Sequence, residues 1–289
     1  LQFIYQSSFT GLSNLRRLDL HNHSIQLIQN GTFKHLRNLE HLDLSMGILS
    51  AIEDDAFEGL QSLLSLDLSY NNLSSIGTSL LNNLPSLGSL NFQENYLESL
   101  SENFFLSVSL LQYLDLRSNR FTYISNDVFR PFVRLKWLSL HNNSLMSIEG
   151  FLSVLSSPNT STIIHFEQNN IGRIQQTAFR KDSLARELYL SNNNITNIES
   201  KAFSRIPLLE ILYLDGNNID EITGDEFEYL ANLRELYLNR SGVGTVQRDA
   251  FRHLPLLKVL NLENNPLKAL PNNLFSVLTT LQHLSLRGN

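Results

Sequence analysis

The sequence predicts an α/β solenoid: a curved, stacked array with a parallel β-sheet on its concave face and short turns or 3₁₀ segments on its convex face. Three observations carry this. Leucines recur with a period of 24 residues along almost all of the 289-residue chain, and such periods mark repeat architectures. Within each period two leucines stand two places apart, as one face of a short strand requires. Asparagine and phenylalanine each hold one fixed place in the period.

Aligned as L-x-x-L-x-L-x-x-N-x-L-x-x-I, with Phe at place 19 and Leu at place 22, the unit starts at Leu15, Leu39, Leu63, Leu87, Leu111 and Leu135. It resumes at Ser161, Ala185, Leu209, Leu233, Leu257 and Leu281. Every step is 24 residues except the 26 from Leu135 to Ser161. The chain reads as one domain, 1–289: a partial repeat over 1–14, eleven full repeats over 15–280 (that at 135–160 irregular), and a partial repeat over 281–289. Neither end shows a polar capping unit, so the array is expected to lack both caps.

Places 3 to 7 are expected to form a strand, with the leucines of places 4 and 6 inward and places 3, 5 and 7 outward. Each strand pairs with its equivalents on either side, because one unit cannot bury its leucines alone. Twelve strands at about 4.8 Å apart make a strip roughly 50–60 Å long.

The asparagines at place 9, from Asn71 to Asn289, answer a different need. A chain leaving the sheet sharply turns backbone polar groups inward, where they need partners. A side-chain amide offers both donor and acceptor. His23, Gly47 and Ser241 depart from this column. Gly47 brings no side chain, so water or an altered turn is expected to serve there. After Ile148 the irregular unit runs G-F-L-S-V-L-S-S-P-N-T-S, which reads either as a tolerated bulge or as a change of curvature or partner contact.

Composition limits the function. A net charge of −6 with 17% charged residues argues against a generic nucleic-acid or anionic-membrane surface. The chain has no cysteine, which alone decides nothing about compartment, and no apolar run long enough to span a membrane.

The motif L-D-L-x-x-N-x-L-x-x-I with Phe at place 19, as in Leu66-Asp67-Leu68-Ser69-Tyr70-Asn71-Asn72-Leu73-Ser74-Ser75-Ile76, resembles the "typical" extracellular class of leucine-rich repeats. That class includes Toll and Toll-like receptors, Slit proteins, glycoprotein-hormone-type receptors and small leucine-rich proteoglycans. The resemblance covers essentially the whole chain. It implies extracellular or cell-surface recognition of a protein or peptide on the concave face, in a receptor ectodomain with scope for dimerisation. The alternatives are a secreted matrix or adhesion scaffold and an intracellular scaffold. Seven N-x-S/T sequons, at Asn22, Asn30, Asn72, Asn142, Asn159, Asn194 and Asn239, give mild support to the secretory route.

Packing fixes the folding places, so specificity falls to the outward columns. Two patches stand out. The first joins Tyr113, Arg117, Trp137, His141 and His165, the aromatic and arginine types that anchor protein interfaces. The second is the ladder Tyr189, Tyr213 and Tyr237 at place 5, with Ile211, Asp215, Glu167, Glu187 and Glu235 around it, suited to a partner with an apolar centre and a basic rim. Both have a structural alternative, since tyrosine is a good strand residue. The aspartates at place 5 of the earlier units, frequent in the family pattern, read equally as background. His141, His165 and Glu167 suggest a metal or acid–base site only loosely. With no nucleophile, base and orienting group in view, the reading is no enzyme, no cofactor, no nucleic acid and no membrane insertion by this segment.

Overall fold

The computed structural model describes residues 1–125, 127–149, 162–179 and 184–289. The insertion reading at 150–161, and with it the sequon at Asn159, lies outside them. Two compact units divide the chain, 1–143 and 144–289, and each is a solenoid of parallel strands with little helix.

In the first unit the strands are Arg17–Asp19, His41–Asp43, Ser65–Asp67, Ser89–Asn91, Tyr113–Asp115 and Trp137–Ser139. They pair in chain order with a 24-residue offset, Leu18 on Leu42 and so on to Leu114 on Leu138. In the second unit Thr162–His165, Ala185–Tyr189, Ile211–Tyr213, Glu235–Tyr237, Val259–Asn261 and His283–Ser285 pair the same way. The regular strands cover places 3 to 5, shorter than expected. The bonding nevertheless runs on past them: Leu20 N–H donates to Asp43 O, and Asn22 N–H to Ser45 O, each at 2.9 Å.

The inward leucines of the interior units are buried, with Leu42, Leu66, Leu90, Leu212, Leu236 and Leu260 at most 2% exposed, while Leu284 on the last strand is 40% exposed. Behind them a phenylalanine spine stacks unit on unit, with ring centroids 5.8–6.3 Å apart for Phe9–Phe33, Phe33–Phe57, Phe105–Phe129, Phe179–Phe203 and Phe251–Phe275. The far side is turns with short 3₁₀ segments at Leu106–Val108 and Asp225–Phe227. Two-residue parallel bridges, such as Leu27–Ile28 with Ala51–Ile52, join places 13 and 14 of neighbouring units.

The asparagine column forms a repeated cage. Asn95 Nδ2 donates to Leu68 O, Phe92 O and Gln93 O, and its Oδ1 accepts Leu73 N–H at 3.0 Å. Asn71, Asn119, Asn193, Asn217 and Asn265 repeat the set. The residue just before each cage turns left-handed. Met46, Tyr70, Glu94, Gln168 and Arg240 all lie at φ of 53–56°, a conformation costing a residue with a side chain about 1–2 kcal/mol. Glycine or asparagine, which tolerate this conformation best, fill the place at Gly216, Gly288, Asn22, Asn142, Asn192 and Asn264, half of the column.

Gly47 corrects an expectation. The turn keeps the usual geometry, with Met46 at φ 56°, and another side chain fills in for the missing one. It belongs to His23 of the preceding unit: its Nδ1 accepts Ile25 N–H at 3.0 Å and its Nε2 lies 3.0 Å from Leu44 O. Those are the acceptor and one of the donor functions that an asparagine at 47 would supply. Both work together in the neutral tautomer with hydrogen on Nε2. A Cβ on Gly47 would sit 2.3 Å from His23 Cε1, so the two departures are one paired substitution. Ser241 finds another route. Its Oγ donates to Leu214 O at 2.8 Å, while its own backbone carbonyl accepts Ile219 N–H; Gly242 follows at φ 73°.

The pairing sets a test by denaturant unfolding. Gly47→Asn alone should destabilise the first unit by about 1–3 kcal/mol through overpacking, and adding His23→Asn should restore most of that loss by rebuilding the standard cage. Additive costs in the double variant would refute the coupling.

Candidate ligand-binding face

The outward columns of the first unit begin with a structural duty. At place 5 the Oδ1 atoms of Asp43, Asp67, Asn91 and Asp115 accept the backbone N–H two residues on, at 2.9–3.1 Å. The aspartates therefore close the strand end by Asx turns. Asp19 does the same for His21 and also lies 2.7 Å from His21 Nδ1. That contact lowers the Asp19 pKa and raises that of His21. Asp19, His21 and Asp43 are the one group of metal-capable side chains close together among the described residues, with ligand atoms within 4.8 Å.

Of the first predicted patch, Tyr113, Arg117, Trp137 and His141 lie in the first unit. Tyr113 is 48% exposed and pairs in register with Trp137. Arg117 is committed within the molecule. Its Nε and Nη2 both lie 2.8 Å from Asp115 Oδ2, and its guanidinium sits 5.8 Å from the Trp137 ring centre. Burial pushes the Asp115 carboxyl up, opposed by the Arg117 hydrogen bonds and charge. A second cation–π contact sets Arg120 over Tyr96 at 4.4 Å, both at place 10, outside the outward columns 3, 5 and 7.

His165 belongs to the second unit, and its ring stacks on Tyr189 with centroids 4.2 Å apart. The ladder continues from Tyr189 to Tyr213 at 4.6 Å and from Tyr213 to Tyr237 at 4.3 Å, the last two rings within 2° of parallel. In-register parallel strands put equivalent side chains one above another at about the strand spacing, which brings four rings into one stack. The regular 24-residue step sets Tyr189 opposite His165, both at place 5; a register shift lies just before it, where Ala185 pairs with Thr162 but Glu187 with Ile163. Sequence alone could not place that shift, which follows the irregular unit.

Carboxylates hold the stack. Tyr189 Oη donates to Glu187 and Tyr237 Oη to Glu235, each at 2.8 Å, and His165 Nδ1 lies 2.8 Å from Glu167. Burial first, and then the neighbouring carboxylates, hold the Tyr189 and Tyr237 phenols far above their ordinary pKa; burial also raises Tyr213. All three phenols therefore stay neutral. Ile211 is half-buried between Glu187 and Glu235 in the same column, and Asp215 accepts Ser191 Oγ at 2.5 Å.

Two family models match. The BspA-type leucine-rich-repeat region matches over 1–110 and 28–151, more than half of the chain. The leucine-rich repeat matches over 162–219, 183–243 and 231–289. The chain belongs to the leucine-rich-repeat family. Among solved leucine-rich-repeat structures it is similar to TLR13 in the TLR13–ssRNA13 complex, at 27% identity and a TM-score of 0.88 over 100% of this chain and 42% of that one. A Leptospira interrogans leucine-rich-repeat protein matches at 26% identity and TM-score 0.70, over 100% of this chain and 76% of that one. Toll in the Drosophila Toll–Spatzle complex shares the fold, at 23% identity and TM-score 0.89 over 99% of this chain and 39% of that one. The chain thus spans about two fifths of the TLR13 and Toll chains. No curated protein matches the sequence. No helix among the described residues is long and apolar enough to cross a membrane.

The commitment of Arg117 has a measurable consequence. Arg117→Ala leaves the buried Asp115 without its cation and should cost about 1–3 kcal/mol of stability, read by urea unfolding. A loss below about 0.3 kcal/mol, as for an ordinary surface site, would mean that Arg117 is free for other use.

Proposed function

We propose that this leucine-rich-repeat domain is an extracellular recognition module, part of a cell-surface receptor, and that it binds a protein through the sheet face of its second unit. The observation that carries the reading is the four-ring stack of His165, Tyr189, Tyr213 and Tyr237. Aromatic side chains locked in place bury much area with little loss of conformational entropy on binding. The Trp137 patch supports the same kind of contact with less freedom, since Arg117 is already engaged.

Likeness to the TLR13 chain, at 27% identity, supports a receptor ectodomain. TLR13 is there in complex with single-stranded RNA, yet the carboxylates around the tyrosines here would repel phosphates. A protein partner fits this face better than a nucleic acid.

The decisive experiment is an unbiased screen against extracellular proteins, followed by binding measurements on the partner found. Tyr213→Ala should weaken that partner by about 1–2 kcal/mol while the circular dichroism stays unchanged; unaltered affinity would remove the ladder from the interface.

Compartment has its own check. Asn22, Asn30, Asn72, Asn142 and Asn194 are exposed, whereas Asn239 is half-buried beside Tyr237. Mass spectrometry of protein made through a secretory pathway should find glycans on several of the five exposed sites and none on Asn239. No glycan anywhere would count against an extracellular origin, and a fully occupied Asn239 against the use of this end of the ladder.

A further inference from the structure

The carboxylates beside the aromatic stack follow a pattern of their own. Going from strand to strand in the second unit, Glu167, Glu187, Asp215, Glu235 and Glu263 place one acid on each strand. They alternate between place 7 and place 3, that is, between the two sides of the ring column. Neighbouring acids are thus one strand apart and on opposite sides; acids on the same side are two strands apart, about 9–10 Å. All five are half-buried, and the rows from 163 to 263 at places 3, 5 and 7 contain no lysine or arginine.

Four of these acids, Glu187, Asp215, Glu235 and Glu263, accept from uncharged hydroxyls. Glu187 and Glu235 accept from tyrosine hydroxyls, Asp215 and Glu263 from serine hydroxyls, and Glu167 meets the His165 imidazole. Arg186 and Arg234, at the strand entry, both lie on Glu210, and Arg287 stands at place 7 one strand beyond Glu263, at the end of the row. Hydroxyl donors orient those four carboxylates without cancelling their charge. The strip is therefore a preorganised double row of anions, with ring edges between the rows to receive aliphatic stems.

We propose that the ligand segment seated here is an extended, basic stretch of a protein partner, whose lysine or arginine side chains reach alternately to the two acidic rows. This rests on the protein-recognition reading above and adds the chemistry of the partner. Charge complementarity sets the sign of the ligand. The two-sided spacing calls for a chain rather than a single ion, because an extended backbone advances about 3.1–3.4 Å per residue, so about three residues cover the distance between acids on one side. Arginine suits the rows well, since its planar fork pairs with carboxylates and its stem lies along apolar surface.

Nona-arginine serves as the probe, with nona-glutamate as its length-matched control, measured by calorimetry on the whole chain. Two variants carry the same change in net charge. One is Glu187→Gln with Asp215→Asn and Glu235→Gln, which keeps an acceptor at every hydroxyl. The other is Glu58→Gln with Glu94→Gln and Glu98→Gln, three exposed sites in the first unit. Unchanged thermal unfolding qualifies each variant for comparison. The first variant should bind nona-arginine at least tenfold more weakly than wild type, and the second less than twofold. Equal losses would reveal only the general field of an acidic protein and overturn the proposal. So would displacement of nona-arginine by equimolar spermine, which would assign the rows to a small polyamine. A protein partner that depends on Tyr213 while nona-arginine fails to bind would overturn the basic-segment proposal alone and leave the recognition reading standing.

Discussion

Each unit must leave the sheet by a tight turn that aims several backbone groups at the interior, and those groups must be satisfied in every repeat. An unpaired buried amide or carbonyl costs about 1–3 kcal/mol, so an unfilled cage in each of several repeats would exceed the few kcal/mol by which a domain is stable. Most of the array solves the problem with asparagine, whose amide bonds three carbonyls and one amide at once. At Gly47 the solution comes from an imidazole one unit earlier, and at Ser241 from a hydroxyl plus a redirected carbonyl. Three chemistries meet one demand, so the backbone geometry, rather than any residue type, is what the fold conserves from unit to unit.

That demand also fixes what happens on the face. Holding every turn in one geometry locks successive strands in register, and register stacks outward residues of the same place directly on one another. Place 5 shows two outcomes. With Asp or Asn the side chain folds back to its own strand end and accepts a backbone amide, leaving little reach toward solvent. With Tyr the side chain stands up, packs against the ring above, and hands its hydroxyl to a glutamate two places back. The change from aspartate to tyrosine thus converts a column concerned with the backbone into one available to a ligand.

The solenoid was legible because its signal is periodic: leucine, phenylalanine and asparagine columns name the inward positions directly, and the strands lie where the columns put them. The tyrosine ladder was legible for the same reason. What escaped the sequence was whatever depends on backbone conformation or on a break in period. The left-handed place is Asn or Gly in half of the units, yet it also carries Met46, Tyr70, Glu94 and Arg240, because the turn imposes the conformation on whatever stands there. His165 was grouped with Trp137 by its chemistry, although it shares place 5 with Tyr189, and its ring lies on that tyrosine. Likewise, Gly47 looked like a deficit because its compensating partner occupies the equivalent place one unit earlier.

The two aromatic patches differ in how their charges are spent, and that difference bears on function. In the first unit Asp115 and Arg117 neutralise each other, and the guanidinium covers part of Trp137; a ligand there would have to displace contacts already made. In the second unit Glu187, Asp215, Glu235 and Glu263 are oriented by hydroxyls that carry no charge. Removing a half-buried carboxylate from part of its water without giving it a cation leaves it poorly solvated, so the arrangement stores an unfavourable field that an incoming cation relieves. In the proposed site the rings would supply rigidity and apolar area, and the acids direction and the sign of the partner. A site prepared in this way loses little freedom when occupied, which is the physical ground for placing recognition on the second unit rather than the first.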